Sequence, residues 1–328
     1  MPSKRKKKVA YLFGAGATHA ELLAMNPDLI PESDGLLISN VSPRVIKKAS
    51  ADADYIRDLE TVSATSGLLK NIELLISLIE NAKMSDWDDK TRKLKHLVQD
   101  DIEAILTPYK LGRFYLHRAL FELHRRRATQ EAEEVVGFIS LNYDDVLDRA
   151  YREHLVAPNY SFALDNDSNV PLLKLHGSFN WVNARIRGRR RRTIDIIPLG
   201  SAKTYLHAPY VFIWTRALEV LISCDTLRII GCSLSPNDVH LIDLLFKAHL
   251  EKQEAFEIEV IDFEETGEGI RDNYGFFPQI RTLSKIENIL IPDTRTTNPF
   301  RTWLRYKSLD ILGQASVRRL SYLRRVLN

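Results

Sequence analysis

Lys8-Val9-Ala10-Tyr11-Leu12-Phe13-Gly14-Ala15-Gly16-Ala17-Thr18 is the stretch on which the fold turns. Val9 to Phe13 form a short, nearly continuous apolar run, the pattern of a strand buried on both faces of a parallel sheet. The run ends in two glycines and small residues, and a helix is predicted from near Thr18, fading before Pro27. A strand that runs into a glycine turn and then a helix is the opening of an α/β unit. The same stretch bears on targeting. The basic start, Met1 to Lys8, is followed by this strand and not by a signal-peptide apolar region with its cleavage site.

The rest of the chain repeats the theme after an interruption. Val135 to Ser140 reads as a second strand, ending at Leu141-Asn142-Tyr143-Asp144-Asp145, with a helix over about 144–155. Leu172 to Leu175 is a short strand ending at His176-Gly177. A helix near 211–223 leads to the strand Leu227–Gly231, which ends at Cys232-Ser233, and a further helix covers about 236–251. Ile258 to Asp262 is a late strand. Residues 45–130 carry no strong strand signal, and Leu68, Ile72, Leu75, Ile76 and Ile79 recur there at helical spacing. The sequence therefore predicts an α/β, Rossmann-like, doubly wound parallel sheet. One nucleotide-binding domain spans 1–328, with a helical insertion over 45–130 and a helical tail over 295–328.

Composition limits the function classes. The chain has 328 residues, enough for a core that needs no covalent staples. It holds two cysteines, Cys224 and Cys232, so neither a disulfide framework nor a four-cysteine zinc module can be built. No histidine stands at metal-ligand spacing from a cysteine, and no metal is expected. No apolar run reaches the length of a transmembrane helix, so the expectation is a soluble, cytoplasmic protein with no membrane partner. The net charge of +3 is unevenly spread. Lys4 to Lys8 and the arginines at 185, 187 and 189 to 192 hold eleven of the 46 basic residues, which leaves 35 basic against 43 acidic elsewhere. Two local basic runs on an acidic body are either solvated segments or contacts for phosphate, nucleic acid or a partner protein.

Ligands of open parallel sheets bind beyond the carboxyl ends of the strands, so the residues there are the candidates. Gly14-Ala15-Gly16 lets a backbone approach a phosphate, and the next helix N-terminus supplies N–H donors. Alone this is weak: His19 stands where a dinucleotide fingerprint has its third glycine, and no Gly-Lys-Ser/Thr string follows. Asn142 and Asp144 are able to bind ribose hydroxyls or place a water, and one aspartate of the 144–145 pair is able to cap the next helix. His176, with an ordinary pKa near neutrality, is a candidate base or a packed structural histidine. Gly231, Ser233 and Asp262 complete the set of strand-end residues.

Taken together and in this order, these strings resemble the sirtuin-like superfamily, in its bacterial branch of NAD-cleaving anti-phage defence effectors. Phe13 to Thr18 resembles the family's glycine-alanine motif, with Thr18 in place of the usual serine. Phe138 to Asp144 resembles the second motif, with Leu141 where threonine or glutamine is frequent. Lys174 to Trp181 resembles the histidine motif of the defence branch, and Ile229 to Leu234 its Gly-x-Ser-Leu motif. Pro198, Lys203 and Trp214 also fall where that branch tends to have them.

The resemblance implies NAD+ as substrate. Gly14, Ala15, Gly16, Ala17 and Thr18 are implied to hold the diphosphate and adjacent ribose. Asn142 and Asp144 are implied to face the nicotinamide ribose, with Asn142 placing a water and His176 acting as base or orienting group. Gly231, Ser233 and Asp262 are implied to meet the adenosine ribose. Without the zinc module of the deacetylases, the acceptor is expected to be water, giving nicotinamide and ADP-ribose and depleting NAD during abortive infection. The resemblance also implies a homo-oligomer and a separate activator, such as an ATPase, a nuclease or a guided nucleic-acid-binding protein. A non-catalytic NAD or ADP-ribose sensor, an ADP-ribosyl transferase or cyclase, and a nucleic-acid module built on the basic runs are the other readings.

Overall fold

A computed structural model describes residues 5–62, 70–81, 87–109, 115–125, 127–154, 158–162, 169–183, 185–186, 189–190, 196–197, 204–234, 238–252, 257–262, 273, 280–282, 298, 300–305 and 307. Its centre is strand β1 (Lys7–Phe13), as the apolar run requires. The strands that follow in the chain are β2 (Glu133–Ser140), β3 (Leu172–Lys174), the short β4 (Arg185–Ile186) and β5 (Arg189–Arg190), then β6 (Thr226–Ile230), β7 (Glu257–Ile261) and β8 (Ile280–Thr282). Six of them form one sheet in the order β3-β2-β1-β6-β7-β8, and every pairing is parallel. This is the doubly wound order, with the chain reversing direction across the sheet between β1 and β6. β4 and β5 form a separate antiparallel pair within the second basic run.

The sheet is covered on both faces because its strands are apolar on both. Ala10 and Leu12 of β1 join Leu227 and Ile229 of β6 and Ile258 and Val260 of β7 on one face. Helices α10 (Tyr210–Ser223) and α11 (Val239–Glu251) pack there. Val9, Tyr11 and Phe13 face the other way, toward α1 (Ala15–Met25), α7 (Leu116–Arg125), α9 (Val146–His154) and the helical residues 300–305. That second face also buries charge. Arg228 of β6 lies between Glu259 at 2.7 Å and a bidentate Glu133 at 2.7 and 2.9 Å, and it donates to the Tyr11 hydroxyl. Burial works to raise the Glu133 carboxyl, but the Arg228 hydrogen bond and charge outweigh it and hold it at about 2. Trp303 closes over the guanidinium, which lies 5.5 Å from its ring.

Between β1 and β2 the described residues form helices joined by short turns, with no strand among them. They include α2 (Pro31–Asp34), α3 (Ile38–Ala49), α4 (Ala53–Val62), α5 (Ile72–Asn81), α6 (Asp88–Leu106), α7 and α8 (Arg127–Ala132). The apolar spacing noted in the sequence builds a third core here. Ile72, Leu75, Ile76 and Ile79 pack with Val41, Val45, Leu94 and Val98. The same core takes in Tyr143, Val146 and Phe179, which belong to loops at the carboxyl edge of the sheet. Buried Asp101 ties α6 to α3 through Arg44 and Lys48, each at 2.7 Å. Glu21, fully buried on α1, accepts from the backbone N–H of Leu116 and His117 and from His117 Nδ1, a carboxylate set at the N-terminus of α7.

Candidate functional site

Register decides which residues meet. Phe13 pairs with both Ser140 and Ile230, Ser140 with Lys174, and Ile230 with Ile261. Five strands therefore end level. Gly14, Leu141, Leu175, Gly231 and Asp262 follow them along one edge, and the crossover between β1 and β6 lies in the middle. The strand-end candidates, separated by up to 248 positions in the chain, come to this one edge.

At the crossover the two glycine turns are packed together. Helix α1 begins at Ala15, directly after Gly14, and not near Thr18 as the sequence spacing predicts. The reason is close contact: Gly14 N–H donates to Ile230 O and Gly16 N–H to Gly231 O, which fixes the first turn. Gly231 has φ +62°, and a Cβ there would lie 2.1 Å from the Ala17 nitrogen. A Cβ on Gly14 would come within 2.4 Å of Gly231 O. These glycines thus serve turn-to-turn packing, and Ala15 is the residue of the turn that stands exposed.

Asn142 and Asp144 interlock with that turn. Asn142 Nδ2 donates to Gly14 O at 2.9 Å and to Thr18 Oγ1 at 3.0 Å. The Thr18 hydroxyl donates to Asp144 Oδ2 at 3.0 Å, and Asp144 Oδ1 accepts from Val146 N–H, capping α9. Asp144 therefore takes the capping role weighed from sequence with one oxygen, and with the other it ties α9 to α1. Asp145 stands beside it, its carboxyl raised by burial and by the negative charges of Asp144 and Asp148.

His176 is buried in the turn after β3. Its Nε2 lies 3.9 Å from Asp238 Oδ2, and its ring is flanked by Tyr143 and Trp214 at 6.3 and 6.5 Å. Burial lowers its pKa; Asp238 opposes this and His240 adds to it. The ring is thus neutral at physiological pH and able to accept a proton. Gly177, at φ +84°, makes the turn possible. Tyr143 grips the turn from the other side, its carbonyl accepting from Phe179 N–H at 3.0 Å and Ser178 Oγ at 3.1 Å.

Beneath this edge lies a buried ion pair that the sequence did not disclose, between Lys174, read there as strand, and Asp148, read as helix. Lys174 Nζ donates to Asp148 Oδ2 at 2.9 Å and to the Asp144 carbonyl. Asp148 Oδ1 accepts from the Tyr160 hydroxyl at 2.5 Å and from Asn180 Nδ2 at 3.0 Å. Burial alone would raise the Asp148 carboxyl; the Lys174 charge and these donors hold it below its usual value. The pair joins the α9 turn, which bears Asp144, to β3, whose following turn bears His176. Asp238 is the other residue missed. It caps α11 through Leu241 N–H at 3.2 Å, and its place just before a helical pattern was a readable signal.

The remaining candidates lie along the edge. Ser233 is exposed and its carbonyl accepts from Asn273 Nδ2, and Asp262 is half-buried at the end of β7. Trp214 is buried and donates to Leu175 O at 3.1 Å. Pro198, Lys203 and the arginines at 187, 191 and 192 lie outside the described residues, as does most of 295–328. In the first basic run, Arg5 pairs with Asp225 and Lys7 with Glu257, which accounts for part of it by contacts within the chain. Among the described residues no group of three metal-ligating side chains occurs, and no helix is long and apolar enough to cross a membrane.

No protein-family profile and no curated protein matches the chain. Solved structures do. A Sir2 bound to an acetylated peptide is 10% identical, with 94% of each chain covered and a TM-score of 0.44. A Sir2–p53 peptide–NAD+ complex is 12% identical over 94% of this chain and 95% of the other, at 0.44. A structure described under the mechanism and regulation of Sir2 enzymes is 14% identical over 93% of each chain, at 0.40. A likeness at this level assigns no residue and no activity to the chain. What the strand order defines is an α/β protein with a doubly wound parallel sheet.

Proposed function

We propose that the chain cleaves the nicotinamide–ribose bond of NAD+ and passes the ADP-ribosyl group to water. The observation that carries the reading is the register of the sheet. It brings the Gly14–Thr18 turn, Asn142, Asp144, His176 and the Gly231 turn to one edge at the crossover, where doubly wound sheets take nucleotides. The motif order in the sequence supports the same site.

The chemistry asks little of the protein. Nicotinamide leaves as a neutral group, and the transition state at the anomeric carbon is cationic, so positioning and electrostatics suffice. Asn142 gives its N–H groups to Gly14 and Thr18, which leaves Oδ1 to orient a water. His176, neutral and buried, takes a proton from a ribose hydroxyl or from that water. The exposed start of α1 at Ala15 receives the diphosphate, and Ser233 and Asp262, beyond the ends of β6 and β7, are assigned to the adenosine ribose. Control by a separate protein, oligomer formation and a role in anti-phage defence belong to this reading as well.

The test is incubation of the purified chain with NAD+ and chromatography of the products. Nicotinamide and ADP-ribose in equal amounts support the reading. Cyclic ADP-ribose, or modified protein, changes the acceptor. Tight NAD+ binding with no product, alone and with the neighbouring gene's protein, replaces the enzyme with a sensor.

A further inference from the structure

His176 and Asp238 come from opposite halves of the sheet. His176 follows β3, at the end of the β1-β2-β3 half, and Asp238 lies between β6 and α11, in the other half. They meet across the crossover. His176 Nε2 lies 3.9 Å from Asp238 Oδ2, with 4% of His176 and 3% of Asp238 exposed. That distance is too long for a hydrogen bond between the two. It is the span that one oxygen atom bridges, because two bonds of about 2.8 Å meeting at about 90° produce it.

Both ends of the span are fixed. Asp238 commits Oδ1 to the Leu241 N–H at 3.2 Å, and its carbonyl accepts from Ile242 N–H, so α11 holds the carboxylate. Leu241, Leu244, Leu245 and Ala248 set that helix into the core it shares with α10. Trp214 of α10 in turn donates to Leu175 O, next to the histidine. The His176 ring stands between Tyr143 and Trp214, and the His176 carbonyl accepts from Ile197 N–H at 2.8 Å. Among the described residues, neither Asp238 Oδ2 nor the His176 ring has a hydrogen-bond partner. Two buried polar groups that face each other in this way call for a shared partner.

We propose that Asp238 Oδ2 and His176 Nε2 together take one hydroxyl of the ribose that carries nicotinamide in NAD+. The identity of the ligand rests on the NAD+ reading; the pairing of Asp238 with His176 does not require cleavage. A carboxylate oxygen accepts and does not donate, and a hydroxyl has one proton. The hydroxyl therefore gives its proton to Asp238 and accepts from His176 Nε2–H. Burial keeps the ring neutral at physiological pH, so Nδ1 retains its lone pair. In the cleavage reaction this narrows the source of the proton that His176 takes to the water.

The experiment is a calorimetric cycle with ADP-ribose and its two forms that lack the 2- or the 3-hydroxyl of the terminal ribose. ADP-ribose has no nicotinamide to lose, so the cycle is independent of cleavage, and nicotinamide release from NAD+ is measured separately. The native chain is expected to bind one of the deoxy forms about 10-fold more weakly or worse, the weight of a hydrogen bond to a charged group. Asp238→Asn retains the helix cap, since asparagine caps as well as aspartate. Its amide oxygen stays with Leu241 and its NH2 takes the place of Oδ2, so a donor replaces the acceptor. This variant is expected to bind ADP-ribose about 10-fold more weakly, and to lose less than about twofold more when the same hydroxyl is removed. Nitrogen-15 spectra of labelled histidine, with His176→Asn to identify the signal, read the ring itself. With ADP-ribose bound, the proton is expected on Nε2 in the native chain and on Nδ1 in Asp238→Asn. A native chain that binds all three ligands alike overturns the proposal without any variant. A hydroxyl effect of equal size in both chains also overturns it, and makes the bridging oxygen a water. No binding of ADP-ribose overturns it together with the NAD+ reading. The expected cycle without nicotinamide release upholds it and removes the cleavage alone.

Discussion

Lys174→Met is the substitution that most sharply probes how the edge of the sheet is held. Both Lys174 and Asp148 are fully buried. Lys174 Nζ supplies Asp148 Oδ2 with its bond at 2.9 Å and also serves the Asp144 carbonyl, while Tyr160 and Asn180 both go to Oδ1. The substitution therefore strips Oδ2 of that donor and leaves a buried carboxylate without its counter-charge. Breaking a buried pair from one side costs about 3–5 kcal/mol, and the loss of the bond to the carbonyl adds about 1 kcal/mol. We expect about 4–6 kcal/mol in urea unfolding at pH 7, followed by the fluorescence of the four tryptophans. The pH dependence separates electrostatics from packing. Asp148 of the native chain is held low, so its stabilisation is in place above the ordinary carboxylate pKa and is lost only as pH falls through the folded value. The native chain thus loses none of this contribution between pH 7 and pH 5. In Lys174→Met, burial is opposed only by the Tyr160 and Asn180 donors and Asp148 moves upward, so the penalty shrinks by about 1–3 kcal/mol over the same interval. Lys174→Met/Asp148→Asn recovers more than half of the loss. A cost below about 1 kcal/mol at pH 7, or an equal cost at the two pH values, refutes the reasoning.

Two further substitutions address the crossover and the buried charges. Gly231→Ala places a side chain at φ +62° and within 2.1 Å of the Ala17 backbone, so a loss of about 2–5 kcal/mol is expected in the same unfolding assay, against about 0.5 kcal/mol or less for exposed Ser233→Ala. Arg228→Met leaves Glu133 and Glu259 without the guanidinium they share, and unfolding is expected to become easier by at least about 3 kcal/mol at pH 7. Glu133 is held at about 2, so its share is present above the ordinary carboxylate pKa and fades toward pH 2; the variant's deficit narrows over that acid range in pH-dependent unfolding.

The sheet was readable because its strands are buried on both faces and so appear as unbroken apolar runs, from Val9 to Phe13 and from Val135 to Ile139. β8 was not, since Ile280-Arg281-Thr282 has neither length nor alternation. The start of α1 was displaced from Thr18 to Ala15 because the contact that fixes it comes from Gly231, 216 positions away. Site candidates were legible as types at strand ends, but their contacts were not. Asn142 as a donor to Gly14 and Thr18 and Lys174 as the partner of Asp148 both depend on register and helix packing. Charged residues inside apolar strands, Lys174 and Arg228, were the signal passed over: a buried cation implies a buried partner.

The measurement that bears most directly on the central claim is the rate of nicotinamide release from NAD+ by the native chain, by Asn142→Ala and by His176→Ala, with thermal unfolding recorded on each. Release by the native chain, alone or with the neighbouring gene's protein, is expected, with a loss of about 100-fold or more in each folded variant. Release at the native rate by both variants contradicts it.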